Sequence, residues 1–236
     1  MSAPAGIDPE LMPSLRRLLR GLSALFWALP LTLITCVQSA VTEWLRPMGM
    51  LPPVIMTGLL YYGLHELGHF QRQERVWMDA LDRTKLFALI NLGLSPFIYW
   101  WNQFPAIGFF FQAIVVMGVC SVMFLISLNF MLQRLTAMLP DEMLRAETKV
   151  FTQMNLILIA VLICVGAIFQ ALSAIENLPD VVINILNILY ATRRAWLLLL
   201  ALLPLAMTMT LLWKTKEVVL SSIFGNRDLL VKPPQS

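Results

Sequence analysis

The sequence predicts an all-α protein, a polytopic helical bundle integral to a membrane, with about six transmembrane helices. Of its 236 residues, 58% are hydrophobic and 13% are charged, which is more apolar surface than a soluble domain of this length can bury. Uncharged windows recur along the chain, and the length of each is near or above the roughly 20 residues that a helix needs to cross about 30 Å of hydrocarbon. Lys and Arg gather on one side when these windows are threaded alternately through a bilayer.

The predicted spans form one transmembrane domain over residues 1–236. The first two spans are joined by the short link Glu43–Pro47, which predicts an antiparallel helical hairpin. The uncharged window Leu86–Gln133 is too long for one crossing. Its aromatic cluster Tyr99–Trp101, followed by Pro105, divides it into a third and a fourth span. The spans cover approximately residues 21–42, 47–64, 86–101, 106–132, 150–175 and 195–213.

The segments between the spans have their own patterns. Residues Leu11–Arg20 mix Leu with Arg and predict a short amphipathic stretch on the inner surface. The segment His65–Lys85 has apolar residues at roughly helical spacing, so the second span is expected to continue as a surface helix. Pro140 begins a helix that runs into the fifth span. The apolar run Val181–Tyr190 is too short to cross and is expected to lie at the interface.

The Lys and Arg distribution predicts that both termini are cytoplasmic. Only Arg46, Arg193 and Arg194 lie in the predicted outer segments, which leaves fourteen of the seventeen basic residues inside. The net charge of +3 is explained by a basic inner rim beside anionic lipid, so the lipid bilayer is the predicted partner and nucleic acid is not. Short loops and the absence of a cleavable signal favour a prokaryotic plasma (inner) membrane.

One motif suggests chemistry, the His-Glu-x-x-His pattern that begins at His65. On a helix, residues four apart project from one face, so His65 and His69 are candidate ligands of Zn²⁺. Glu66 is then the candidate general base acting on a metal-bound water. The string Leu64–Phe70 resembles the active-site helix of site-2-type intramembrane zinc proteases. The resemblance covers about seven residues and implies the same three roles for His65, Glu66 and His69.

The rest of that family pattern differs here. Those proteases take a third ligand from an Asp on a later membrane segment, after an Asn-x-x-Pro-type motif. The comparable stretch, Asn91–Pro96, is followed by Phe97–Trp100 without an Asp. A third ligand would have to come from the inner loops. The candidates there are Asp79, Asp82, Glu142 and Glu147.

Polar residues within the spans are few and uncharged. Asn91, Gly93, Ser95 and Pro96 predict a kink in the third span, because Pro removes a backbone hydrogen bond and Gly allows close approach. Such kinks either serve packing or line binding cavities. Four lone amides are expected to hydrogen-bond between helices. These are Gln112, Asn129, Asn155 and Gln170.

These features leave three functional classes. No Asp, Glu, Lys, Arg or His lies in the middle of a predicted span, which disfavours ion-coupled carriers, proton relays and voltage sensors. The leading interpretation is a non-catalytic scaffold, subunit or accessory factor of a membrane assembly, without a cofactor, acting as a homo-oligomer or with other membrane subunits. The alternatives are an intramembrane zinc metalloprotease using His65, Glu66 and His69, and a carrier for a neutral or lipid-like small molecule.

Overall fold

A computed structural model describes residues 11–41, 45–71, 73–138, 142–173 and 202–221. These residues are helical apart from short turns and contain no β-strand. The predicted surface segment Val181–Tyr190, residues 195–201 of the predicted sixth span and both chain termini lie outside them. In chain order the helices are α1 (Leu11–Val41), a 3-10 turn (Arg46–Met48), α2 (Leu51–Leu67), α3 (Arg75–Leu94), α4 (Pro96–Gln103), α5 (Gly108–Ala137), α6 (Glu142–Ser173) and α7 (202–221).

Three of these helices are long and apolar enough to cross a membrane. They are Pro13–Ala40 in α1, Gly108–Ala137 in α5 and Glu142–Ile168 in α6, all within the described ranges. Helix α2 has 17 residues, at the short end of the roughly 17 to 25 residues with which a helix crosses a bilayer. Helix α3 carries charged residues in its first half, because it begins at Arg75, well before the predicted third span. The all-α and membrane-compatible character is therefore confirmed, and the count of about six spans stays a prediction.

Helix α1 differs from the sequence prediction at its beginning. The stretch Leu11–Arg20 was expected to lie along the membrane surface, but it continues without a break into the first span. The physical reason is that Leu18, Leu22 and Leu25 form one fully buried stripe on a single helix face. A bend between Arg20 and Gly21 would remove Leu18 from this stripe.

Helices α1 and α2 form the predicted hairpin. Gly21 lies against Gly63 at one end of the pair, and the Thr32 hydroxyl donates to the Met56 carbonyl at 3.0 Å further along, so the helices run antiparallel. A Cβ added at Gly21 would lie 2.8 Å from the Gly63 carbonyl oxygen. Only glycine allows the two backbones to come this close.

The predicted kink interrupts the helix at one residue, Ser95, whose backbone keeps helical angles. Helix α3 ends at Leu94 and α4 begins at Pro96, so the predicted third span 86–101 is divided between them. Pro96 has no N–H to continue the helical hydrogen bonds of α3. The Ser95 hydroxyl donates to the Leu92 carbonyl at 2.8 Å and accepts from the Thr57 hydroxyl at 3.4 Å, which joins the break to α2.

The basic residues of the described helices gather at one end of the bundle. Lys85 of α3 lies beside Gly68 at the end of α2, and Lys214 of α7 pairs with Glu147 of α6 at 2.7 Å. At the opposite end of the bundle, α4 contacts α1 through uncharged groups. The Asn102 amide of α4 donates to the Ser39 carbonyl of α1 at 3.1 Å. A buried core joins the helices between these ends. Its largest fully buried side chains are Leu18, Leu22, Leu25, Leu64, Leu67, Trp77, Leu81, Leu128, Met131, Leu132, Leu135 and Leu211.

Candidate functional sites

The His-Glu-x-x-His motif lies at the C-terminal end of α2. The helix ends at Leu67, Gly68 is its C-cap, and His69 is therefore past the last helical residue. Leu64 and Leu67 are buried in the core, whereas His65 is exposed and Glu66 is half-buried. The sequence placed the three candidate residues on one continuous helix, and the structure places them on a helix end and the turn that follows it.

The residues between and after the histidines hold this turn in place. Trp77 is fully buried, and its indole N–H donates to the Phe70 carbonyl at 3.1 Å, which fastens the turn to α3. A Cβ at Gly68 would lie 2.7 Å from the Lys85 ammonium nitrogen. The ammonium therefore sits against the C-terminal end of α2, where the carbonyl groups carry partial negative charge. Gly68 makes room for this contact.

The two imidazoles are close to each other. The ring centroids of His65 and His69 are 5.3 Å apart and the rings are nearly perpendicular. Two imidazoles that bind one zinc ion at the usual Zn–N distance have centroids about 5 Å apart, so this separation is compatible with a shared metal. One nitrogen of the pair is engaged, because His69 Nδ1 lies 3.2 Å from the His65 carbonyl oxygen. Nε2 of His69 is then the nitrogen open to a ligand.

The predicted third ligands do not join this pair. Asp82 lies 3.8 Å from Lys85 on its own helix, and Glu147 is bonded to Lys214 at 2.7 Å. Among the residues that the structure describes, no three His, Cys, Asp or Glu side chains are grouped closely enough to hold a metal ion. Glu74, which the sequence did not single out, lines an open cleft together with His69.

A second candidate site is a cavity of about 140 Å³ between α1, α2, α3, α5 and α7. Its walls are mostly apolar, and its polar groups come from Asn91, Thr57, Thr32 and Ser121. The Ser121 hydroxyl lies 3.1 Å from Asn91 Oδ1 and 2.8 Å from the Met117 carbonyl, and its single proton is donated to one of them at a time. Asn91 Nδ2 has no partner among the described residues, so its N–H groups are open to a hydrogen-bond acceptor in the cavity. The sequence indicated Asn91, but hydroxyls of Thr32, Thr57 and Ser121 gave no signal because most such residues bond to their own helix.

A third candidate site is a cluster of polar side chains that joins α5, α6 and α7. The amides of Asn129 and Asn155 both donate to the Thr208 hydroxyl, at 3.1 and 2.9 Å, and all three residues are buried. Thr208 itself donates to the Pro204 carbonyl at 2.8 Å. The prediction of inter-helix bonds is confirmed for these two asparagines. Gln112 is exposed instead, and the side chain of Gln170 lies outside the described residues.

Comparisons of the chain with protein-family models, with curated proteins and with solved structures find no match. They assign neither a family nor an activity. The geometry of the histidine turn, the polar cavity and the basic end of the bundle therefore carries the functional inference.

Proposed function

We propose that the chain is a multi-pass integral membrane protein with a non-catalytic role, as a scaffold, subunit or accessory factor of a membrane assembly. In this proposal both termini and the basic end of the bundle face the cytoplasm of a prokaryotic cell. The observation that supports it best is the structural use of the one catalytic-looking motif. Leu67 packs in the core, and Gly68 makes room for the Lys85 ammonium group. The carbonyl of Phe70, directly after the motif, accepts the hydrogen bond from Trp77.

The surface of the bundle suits a protein that acts through contacts in the membrane. The outer faces of α5 and α6 carry large exposed apolar side chains over most of their length, including Phe109 and Val119 on α5 and Ile157 and Ile168 on α6. Lipid or the apolar helices of other subunits, including copies of this chain, can cover such faces. Exposing apolar faces of this size to water is energetically unfavourable.

Metal analysis and native mass spectrometry of the protein purified in mild detergent test this proposal together. We expect far less than one zinc ion per chain and a stable oligomer or defined complex. Replacing Glu66 with Gln should leave the assembly unchanged, because a half-buried side chain at a helix end contributes little to it. A monomer carrying one zinc ion per chain would overturn the proposal.

The zinc protease is a second candidate, and the 5.3 Å separation of the two imidazoles favours it. It requires a carboxylate to move toward the pair, and Glu74 lines the same cleft as His69. In this case His65→Ala and His69→Ala should each abolish zinc binding, whereas Glu66→Gln should retain zinc and lose cleavage of a membrane substrate. Retention of zinc in both histidine variants would exclude the site.

A carrier for a neutral small molecule is a third candidate, and the cavity beside Asn91 favours it. Its volume of about 140 Å³ suits a ligand of a few heavy atoms with one hydrogen-bond acceptor for the free Asn91 amide. Uptake of small neutral solutes by proteoliposomes tests this function. We expect Asn91→Leu to lower uptake and Gly118→Ala to leave it unchanged, because Gly118 faces open space.

A further inference from the structure

A charged cleft of about 400 Å³ lies between α3 and α5 at the basic end of the bundle. Arg83 and Asp79 line it from α3, and Arg134 and Ser127 line it from α5. The two helices are antiparallel, since Ser121 of α5 bonds to Asn91 of α3 about 12 Å further along the bundle. The cleft is therefore near one end of a long apolar helix, the depth at which lipid headgroups are found.

The charged groups of the cleft have no partners within the described part of the chain. Neither Arg83 nor Arg134 makes an ion pair or a side-chain hydrogen bond there, and neither does Asp79. Two guanidinium groups facing one cleft form a favourable binding site for a phosphate group, because each offers a planar fork of N–H donors. Asp79 places one carboxylate beside them, which matches a cationic group on the same ligand.

The apolar part of the cleft distinguishes a lipid from a free phosphate. Val76 and Phe130 line the same cleft, and both side chains are about half exposed. Leu86 and Leu89 continue this exposed apolar surface along α3, away from the charged end. A ligand with a phosphate at one end and hydrocarbon chains at the other would cover both parts of this surface at once.

We propose that this cleft binds the headgroup of an aminophospholipid, with the phosphate between Arg83 and Arg134 and the primary ammonium group at Asp79. The acyl chains lie along the exposed apolar surface of α3 and α5. The site is separate from the histidine turn and from the polar cavity, so it does not depend on which function the protein has.

Lipid titration of the full chain in detergent, followed by native mass spectrometry, tests this site. The probes are phosphatidylethanolamine, phosphatidylcholine, phosphatidylglycerol and water-soluble phosphoethanolamine. We expect phosphatidylethanolamine to bind most tightly, because the trimethylated amine of phosphatidylcholine cannot donate to Asp79 and phosphatidylglycerol has no cation. Phosphoethanolamine should bind far more weakly, since it lacks the acyl chains. Equal binding of phosphoethanolamine would indicate a soluble phosphate ligand and overturn the lipid proposal.

Matched variants locate the site. Combining Arg83→Gln with Arg134→Gln should weaken phosphatidylethanolamine binding by about tenfold or more, because charge-assisted hydrogen bonds to the phosphate are lost. Asp79→Asn should remove the preference over phosphatidylcholine. Arg75→Gln is the control, because Arg75 is an exposed basic residue on the same helix that does not line the cleft. The thermal stability of each variant without added lipid shows that it is folded. Unchanged affinity in the double variant, or an equal loss in the control, would overturn the proposal.

Discussion

The α1–α2 hairpin and the α5–α6–α7 junction hold helices together in opposite ways. In the hairpin, Gly21 and Gly63 allow the two backbones to touch, and a hydrogen bond from the Thr32 hydroxyl to the Met56 carbonyl joins the helices further along. At the junction, Asn129 and Asn155 share the hydroxyl of Thr208, so that three helices meet at one polar group. Lipid tails are as apolar as Leu, so the hydrophobic effect alone does not join helices in a membrane. Close packing and hydrogen bonds are the two remaining means. Backbone contact is the prominent one in the hairpin, and shared side-chain hydrogen bonds are the prominent one at the junction.

Within the part of the chain that the structure describes, buried polar atoms without a partner occur in both regions, with the hydroxyl of Ser39 on α1 and a larger set at the junction. The amide oxygens of Asn129 and Asn155 and the hydroxyl of Thr152 are buried and have no hydrogen-bond partner among the described residues. The junction therefore gains less stability from its hydrogen bonds than their number implies.

The largest expected effect is at the hairpin. Replacing Gly21 with Ala would place a methyl group 2.8 Å from the Gly63 carbonyl oxygen, and a backbone atom cannot move aside cheaply. We expect a loss of about 2 kcal/mol in unfolding free energy. Equilibrium unfolding in detergent measures it. Gly118→Ala is the matched control, because no atom lies within 4 Å of the added methyl group. Equal stability of the two variants would show that the crossing is not tight.

A smaller effect is expected at the junction. Thr208→Val keeps the side-chain shape but removes the hydroxyl that accepts from both asparagines. We expect a loss of about 1 kcal/mol in the same unfolding measurement, since hydrogen bonds between membrane helices are individually weak. Thr210→Val is the control, because Thr210 is exposed and bonds only to its own helix at Ala206. A loss at Thr208 larger than that at Gly21 would reverse the comparison.

The smallest effect is expected at the ion pair near the junction. Lys214 and Glu147 are 2.7 Å apart, with side chains 38% and 40% exposed, so solvent screens much of their attraction. Lys214 also lies 5.5 Å from the centre of the Phe151 ring. A double-mutant cycle with Lys214→Gln and Glu147→Gln should give a coupling below about 0.5 kcal/mol that decreases as salt is added. A coupling that is insensitive to salt would mean that the pair is buried in the assembled protein.

The sequence predicted parts of the candidate sites through single residues. Asn91, Asn129 and Asn155 are conspicuous because amides are rare in apolar windows, and each takes part in an inter-helix hydrogen bond. Their partners Ser121 and Thr208 could not be identified in this way. Hydroxyl residues are common in membrane helices because they satisfy themselves on the preceding turn, as both do here.

The charged cleft could not be predicted from the sequence, for a different reason. Arg83 and Arg134 are 51 positions apart in the chain. In the sequence, each is an ordinary basic residue of the predicted inner rim. Their meeting depends on the register between α3 and α5. Side-chain packing sets that register, and hydropathy carries no information about it.

Composition, hydropathy and charge determined by themselves that this chain is helical and suited to a membrane, and that its basic residues favour one side. These properties follow from the cost of placing backbone polar groups and charges in hydrocarbon, which every segment bears on its own. Tertiary structure alone decided that the histidine motif ends a helix, that Gly21 meets Gly63 and that two arginines share a cleft. Such outcomes depend on contacts between segments distant in sequence, and their energies arise only when the helices pack.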